Sequence, residues 1–441
     1  MPRILDLPNE LLIQIIQALV VPGGNKNHSV FNLCIVNRRL SGLATVELHR
    51  QFSATSHRRN IYVREFLRLL DRQPDLANTV ESAALLPKEV TSPHSRFFWK
   101  WVGSGYIGED VSDEGSVKTE TAPVVKLLGM LHNLQKLTVE INHLEELVRV
   151  SSSPPFPVLK SLTVAKALRD TRGAGWLPLG LILSILDATP KLRSLEIQGG
   201  GITTVGAMDY SHDHWSENHK NELEKLSANS TVKASLDELR FVNCNLHGEW
   251  LSWLLQAVAP SLKRFKYSSK VPYVFETMKH LVVALKAVRN TLSELIIDDD
   301  VGNDHTGPYG HGRAAGNLAE FTALKRLRAS YRTLLNIDET ITLSPHLETL
   351  EVTTIEEWGD VVVLLYQDMI AAVKSASLRQ LRVSIRFIGD RTSMVGPTMA
   401  ARASLERACK ERGVQLDLTI SGRPRPRHWP LVWGVNGFTF P

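Results

Sequence analysis

One short pattern, Leu-x-x-Leu-x-apolar, returns nine times between residues 134 and 383 and constrains the fold more than any other feature. It reads Leu134/Leu137/Val139, Leu159/Leu162/Val164, Leu192/Leu195/Ile197, Leu236/Leu239/Phe241, Leu262/Phe265/Tyr267, Leu292/Leu295/Ile297, Leu324/Leu327/Ala329, Leu347/Leu350/Val352 and Leu378/Leu381/Val383. In each copy the last two apolar residues are two apart, so they share one face of a short strand, while neighbours such as Lys136 and Thr138 take the other. The copies start 25, 33, 44, 26, 30, 32, 23 and 31 residues apart. Between them, apolar residues of helical period occupy 179–186, 250–258, 275–288 and 361–373. A strand and a helix of this size cannot bury their apolar faces alone. Stacking successive units buries them together, which is the logic of a solenoid. Unrelated strand–helix units in a doubly wound sheet are the alternative that the uneven spacing leaves open.

The copy at 236–246 reads Leu-x-x-Leu-x-Phe-x-x-Cys-x-Leu and is the fullest. With its eight irregular companions it resembles the leucine-rich repeats. That resemblance implies an α/β solenoid over 126–420, with a parallel sheet on the concave side and helices outside. Val139, Val164, Ile197, Ile297, Val352 and Val383 are expected in its core. Alternation of Val414, Leu416, Leu418 and Ile420 predicts a further strand closing the sheet after the ninth copy.

The N-terminus carries a different signal. Leu7-Pro8 and Glu10 mark a helix start, because Pro in the first turn lacks only an N–H that is unsatisfied there anyway. Leu11, Leu12, Ile15, Ile16 and Leu19 then form a stripe too wide for one small helix to bury alone. After a polar break at 20–28, Leu33, Val36, Arg39 and Leu48 follow. This order resembles the F-box, a helical hook that docks on a Skp-type adaptor and through it joins a cullin ubiquitin ligase. The resemblance assigns adaptor contact to Leu7, Pro8, Leu11, Leu12, Ile15, Leu33 and Val36. The long break at 20–28, and Asn37 where a small apolar residue is common, depart from the pattern. The competing reading is a helix pair that only packs on the rest of the chain.

The remaining sequence is less specific. The chain divides into 1–50 (hook), 51–125 (a helical and loop connector, with an amphipathic helix at 61–70), 126–420 (repeats) and 421–441 (a tail whose Trp429, Trp433, Phe438 and Phe440 suit a cap on the last repeat). Composition is globular, 43% hydrophobic and 22% charged, and the net charge of +5 comes without a dense basic stripe. Nucleic acid is therefore not an expected partner. Cys34, Cys244 and Cys409 form no Cys-x-x-Cys pair and no disulfide framework, which fits a reducing cytoplasmic or nuclear compartment. The apolar run at 11–21 is too short to span a bilayer and is broken by Gln14 and Gln17.

Chemistry-bearing motifs are weak. His212, His214 and His219 lack metal-ligand spacing. The glycines at 310–316 do not follow a strand as a dinucleotide loop must. Asp298, Asp299, Asp300 and Asp304 lack the Gly and terminal Glu of a calcium loop. No cofactor or metal is expected, and the chain is not expected to be an enzyme. A third reading, an α/β enzyme with an unrecognised site, would need a deep pocket holding perturbed acids or a His dyad. On the strand face turned from the core, Arg240, Lys266, Arg328 and Arg382 occupy equivalent positions in four copies. Arg binds carboxylate and phosphate bidentately, so this row is the expected site for an acidic or phosphorylated substrate segment.

Overall fold

The structure, a computed structural model, describes residues 4–19, 33, 37–54, 59–86, 121–140, 143–144, 146–147, 156–165, 185–198, 236–242, 244, 248–257, 259–269, 281–299, 317–334, 342–356, 359–388 and 397–423. The chain divides into two compact units, the first essentially 1–244 and the second the residues that follow.

The first unit opens with a 3-10 turn, Ile4–Asp6, then helices α1 (Asn9–Leu19) and α2 (Arg38–Arg50). Strand β1 (Gln51–Ser53), helix α3 (Arg59–Arg72), strand β2 (Ser82–Leu85) and helix α4 (Thr121–Met130) follow. Strands β3 (Lys136–Glu140), β4 (Ser161–Ala165), β5 (Ser194–Gln198) and β6 (Glu238–Val242) complete it. Each of the first five strands pairs in parallel with the next in sequence, so β1 to β6 run in order. The register runs Leu137↔Leu162↔Leu195↔Leu239 and Val139↔Val164↔Ile197↔Phe241, so the repeated apolar positions stack as continuous rows.

In the second unit, helix α5 (Gly248–Ala257) precedes β7 (Arg264–Ser269), β8 (Glu294–Asp299) and β9 (Arg326–Ser330). The short helix α6 (Tyr331–Leu334), β10 (Thr349–Glu356), helix α7 (Gly359–Ser375), β11 (Gln380–Ile388), helix α8 (Pro397–Arg412) and β12 (Gln415–Arg423) follow. These six strands are also parallel and in sequence order. Their core rows are Phe265↔Leu295↔Leu327↔Leu350↔Leu381↔Leu416 and Tyr267↔Ile297↔Ala329↔Val352↔Val383↔Leu418. All six residues expected in the core, Val139, Val164, Ile197, Ile297, Val352 and Val383, are buried. The α/β class and the parallel strands are as the repeat implied, and β12 closes the order after the ninth copy. Two strands come earlier than expected: β1 and β2 lie in the segment read as a connector.

The spacing of the repeat has a hydrogen-bond cause. The residue before eight of the strands offers its carbonyl to two N–H groups of the next tier. Glu81 O accepts from Gln135 N (2.8 Å) and Lys136 N (3.0 Å), and Gln135 O accepts from Lys160 N and Ser161 N. Lys160 O and Arg193 O do the same in the first unit, as do Lys263 O, Ser293 O, Lys325 O and Glu348 O in the second. A carbonyl has two lone pairs, so this double acceptance satisfies both and locks the register of each tier before its strand begins.

A tight turn brings the chain to that point. Leu159 N bonds Phe156 O, Leu192 N bonds Thr189 O and Leu347 N bonds Ser344 O. Pro157, Pro190 and Pro345 sit second in these turns, where a fixed φ near −65° suits them. In these copies the first Leu is thus the turn's last residue, and its burial anchors the turn. The last tier replaces that Leu by Gly413, whose φ of 68° is the left-handed conformation that ends α8.

Candidate protein-interaction site

The two surfaces singled out by the sequence are the N-terminal hook and the strand face turned from the core. In the hook, α1 packs on α2 through a small apolar centre. Ile16 and Ala44 are buried, and Leu33, Leu43 and Leu48 pack against them. Leu12 and Ile16 are each 1% exposed, while Leu11 is 45%, Ile15 38% and Leu19 38% exposed. These last three are four residues apart, so they line one side of α1. Pro8 is exposed and Leu7 half-buried at the start of the helix. Of the expected adaptor contacts, Pro8, Leu11 and Ile15 therefore face outward. Leu12 is instead buried and Leu33 packs on the Ile16–Ala44 centre, and Val36 lies outside the described residues. Because α1 buries only one of its two apolar edges, the other is left to solvent.

Polar groups fix how the hook is mounted on the first strands. Glu47 of α2 is only 5% exposed. It accepts from Gln17 Nε2 of α1 at 3.1 Å and pairs with Arg50 at 3.0 Å. Arg50 reaches Glu81, ahead of β2, at 3.7 Å. Phe52 of β1 stacks on Phe66 of α3 with centroids 4.3 Å apart, and His49 packs tilted on the same ring at 5.7 Å. Burial there pushes the His49 imidazole below its ordinary pKa, since the charged form loses its hydration. Asn37, one of the departures from the F-box pattern, is the cap of α2: its Oδ1 accepts from Arg39 N at 2.8 Å and Leu40 N at 3.4 Å.

On the strand face, the expected basic row is largely matched by acids. Arg240 Nη1 lies 3.3 Å from Glu196. Arg328 lies 2.8 Å from Asp298 and 3.6 Å from Glu351, and Arg382 lies 3.5 Å from Asp417. Arg326 meets Glu294 at 3.6 Å in the same manner. Lys266 stands beside Ile296 in the register. Across β9 to β12 the row reads Arg328, Glu351, Arg382, Asp417, an alternation of sign from strand to strand. Sequence reasoning found the cations. It did not anticipate Asp298, which reaches Arg328 diagonally, one strand over and two residues along.

Among the described residues no group of His, Cys, Asp and Glu could hold a metal ion. The residues 212–219 and 310–316 lie outside the described residues, as do the break at 20–28 and the tail from 424. Cys244 and Cys409 are buried and form no disulfide, and the Cys244 thiol donates to the carbonyl of Ile197 at 3.4 Å. A cleft of about 410 Å³ in the first unit is lined by Asn78, Glu81, Asn133, Gln135, Lys160 and Lys191 among others. Its polar groups are partly spent on each other, with Lys160 Nζ donating to Gln135 at 3.0 Å. No described helix is long and apolar enough to cross a membrane. Compared with known proteins, the chain matches no family model and no curated sequence.

Proposed function

We propose that this protein is the substrate-recognition subunit of an SCF-type E3 ubiquitin ligase. In this reading the hook binds a Skp-type adaptor, and through it a cullin, while the strand tiers hold a protein substrate. The chain performs no chemistry itself. It raises the effective concentration of a substrate lysine near a ubiquitin-charged enzyme, which is catalysis by proximity. A cytoplasmic or nuclear site of action goes with this role.

One observation carries the reading. Of eleven large hydrophobic side chains exposed among the described residues, Ile4, Leu11, Ile15, Leu19 and Val46 lie in the hook. Exposed apolar surface concentrated on one small element marks an interaction site. The alternative, a non-ligase scaffold whose F-box-like helices cap the solenoid, would bury Leu7, Pro8 and Ile15; the exposure of Pro8 and Ile15 supports the ligase reading, while Leu7 is half-buried. Co-purification with a Skp-type adaptor tests the choice. Capture by the native chain, lost in Leu11→Ser/Ile15→Ser with circular dichroism unchanged, is the expected result. Equal capture by both chains, or none by either, removes the ligase reading.

The tiers are the proposed substrate surface. Because Arg240, Arg328 and Arg382 already face acids, an acidic or phosphorylated segment would have to compete with Glu196, Glu351 and Asp417. Such binding should weaken as salt rises.

A further inference from the structure

The first turn of α2 contains Arg38 and Arg39 and no acid, a sign of charge that runs against the helix dipole. Arg39 nevertheless has a dense set of partners, all at the start of α1 or in the segment just ahead of it. Its Nη1 donates to Leu5 O at 2.5 Å, and its Nη2 donates to Leu7 O at 2.9 Å. Asn9 Oδ1 accepts from its Nε at 3.0 Å and from Nη2 at 2.6 Å. These acceptors lie 30 to 34 residues away in sequence. They bracket Leu7 and Pro8, the turn that leads into the exposed stripe of α1. Asn37 fixes the other end of the device by capping α2 through the Arg39 N–H.

The geometry points to Arg39 as the positioning residue of the docking face, holding the 5–9 segment in its binding shape before any adaptor arrives. This inference rests on the ligase reading proposed above. The physical reason is preorganisation. A loop of five residues ahead of a helix samples many states, and a partner that needs one of them binds in proportion to that state's population. The planar guanidinium suits the task, because its fork of five donors meets three acceptors at fixed angles, which a lysine ammonium cannot do. All three acceptors are neutral: two backbone carbonyls and one amide. The clamp is therefore hydrogen bonding rather than an ion pair, and it should be indifferent to salt. A direct bond from Arg39 to an acidic group on the adaptor would behave in the opposite way.

The test measures binding of a purified Skp-type adaptor to the full chain by calorimetry, at low and high salt, for the native protein and for Arg39→Ala, Arg39→Lys and Asn9→Ala. Hydrogen exchange over residues 4–12 is followed in the same set without adaptor. If removing the clamp leaves about a tenth of molecules in the competent shape, Arg39→Ala weakens binding about tenfold at both salt concentrations. Asn9→Ala does so by less, Arg39→Lys falls between, and the double change Arg39→Ala/Asn9→Ala is no worse than Arg39→Ala alone. Exchange over 4–12 should speed up while that of β3 to β6 stays unchanged. Unaltered affinity in Arg39→Ala overturns the proposal, and so does a loss that disappears at high salt. If the native chain captures no adaptor, the ligase reading fails. The exchange data then still decide whether Arg39 orders the segment.

Discussion

Helices α1 and α7 look alike as sequences and behave as opposites. Asn9–Leu19 reads NELLIQIIQAL and Gly359–Ser375 reads GDVVVLLYQDMIAAVKS, both dominated by aliphatic residues. In α7, Val362, Leu365, Tyr366, Met369, Ala372 and Val373 are buried, and Leu364 is its one large exposed hydrophobic among those described. In α1 only Leu12 and Ile16 are buried, and three of its aliphatic residues remain in water. The difference lies in the neighbours. Helix α7 packs against α8 and β10, whereas α1 packs chiefly on α2. Apolar content therefore does not say whether a helix is covered or left exposed; the number of elements packed on it does.

Opposite consequences of equal mutations give the sharpest test of this contrast. Tyr366→Ala empties a fully buried site and should cost about 3–5 kcal/mol in denaturant unfolding, as large aromatic truncations do. Leu11→Ser/Ile15→Ser removes comparable apolar volume from α1 and should change stability by less than about 0.5 kcal/mol, because those atoms are already hydrated. A matching loss in the hook would mean that α1 is buried after all. Next in size is Glu47→Ala. It leaves Gln17 and Arg50 without their shared partner and should cost about 1–3 kcal/mol, with hydrogen exchange rising in α1 before the strands. Arg328→Glu follows. It places a third carboxylate beside Asp298 and Glu351 and should destabilise the second unit by about 1 kcal/mol, a loss that added salt reduces.

The smallest effect is in pH, and the two regions should respond with opposite sign. His49 in the hook has a lowered pKa, so the unfolded chain takes up a proton that the folded one refuses. Its contribution is present above about pH 6.5 and is lost as pH falls below that value. Asp368 of α7 has a raised pKa, because burial outweighs the 2.6 Å bond it accepts from Tyr331 Oη. There the folded chain holds the proton longer. That contribution is present below the ordinary Asp range and is lost as pH rises through the raised value. Asp368→Asn should therefore stabilise slightly at pH 7 and not at pH 3, while His49→Phe should flatten the acid side for the hook. Thermal melts at the two pH values check both.

Much of the tier structure was legible because burial on one face leaves a period-two mark that Leu, Ile and Val make conspicuous. Strands β1 and β2 escaped for lack of those residue types, not of the spacing. Val80, Ala83 and Leu85 stand three and then two apart, all buried. His49, Phe52 and Ala54 repeat the interval ahead of them. A search by position rather than by leucine would have found both. The outward charges were harder to read: their partners sit diagonally across strands, and diagonal neighbours appear only when the register is known. In the hook, the pattern did not separate Leu11 from Leu12, since adjacent helical residues differ by 100° and only the position of α2 decides which turns inward.

The double-acceptor carbonyls divide insertions and deletions in this gene into two kinds. Between one tier's strand and the next tier's turn the ladder makes no demand on length, and the present copies already differ by as many as 21 residues, from 23 to 44. A change in length there need not disturb any register. A single residue added between the accepting carbonyl and the end of its strand is different. It turns every later side chain of that strand to the opposite face and places a charged residue such as Arg328 in the row of Ile297 and Val352. The chain should accumulate the first kind freely and the second hardly at all. The unit of its evolution is then neither the residue nor the domain, but the six positions from the first Leu to the last apolar residue of a tier.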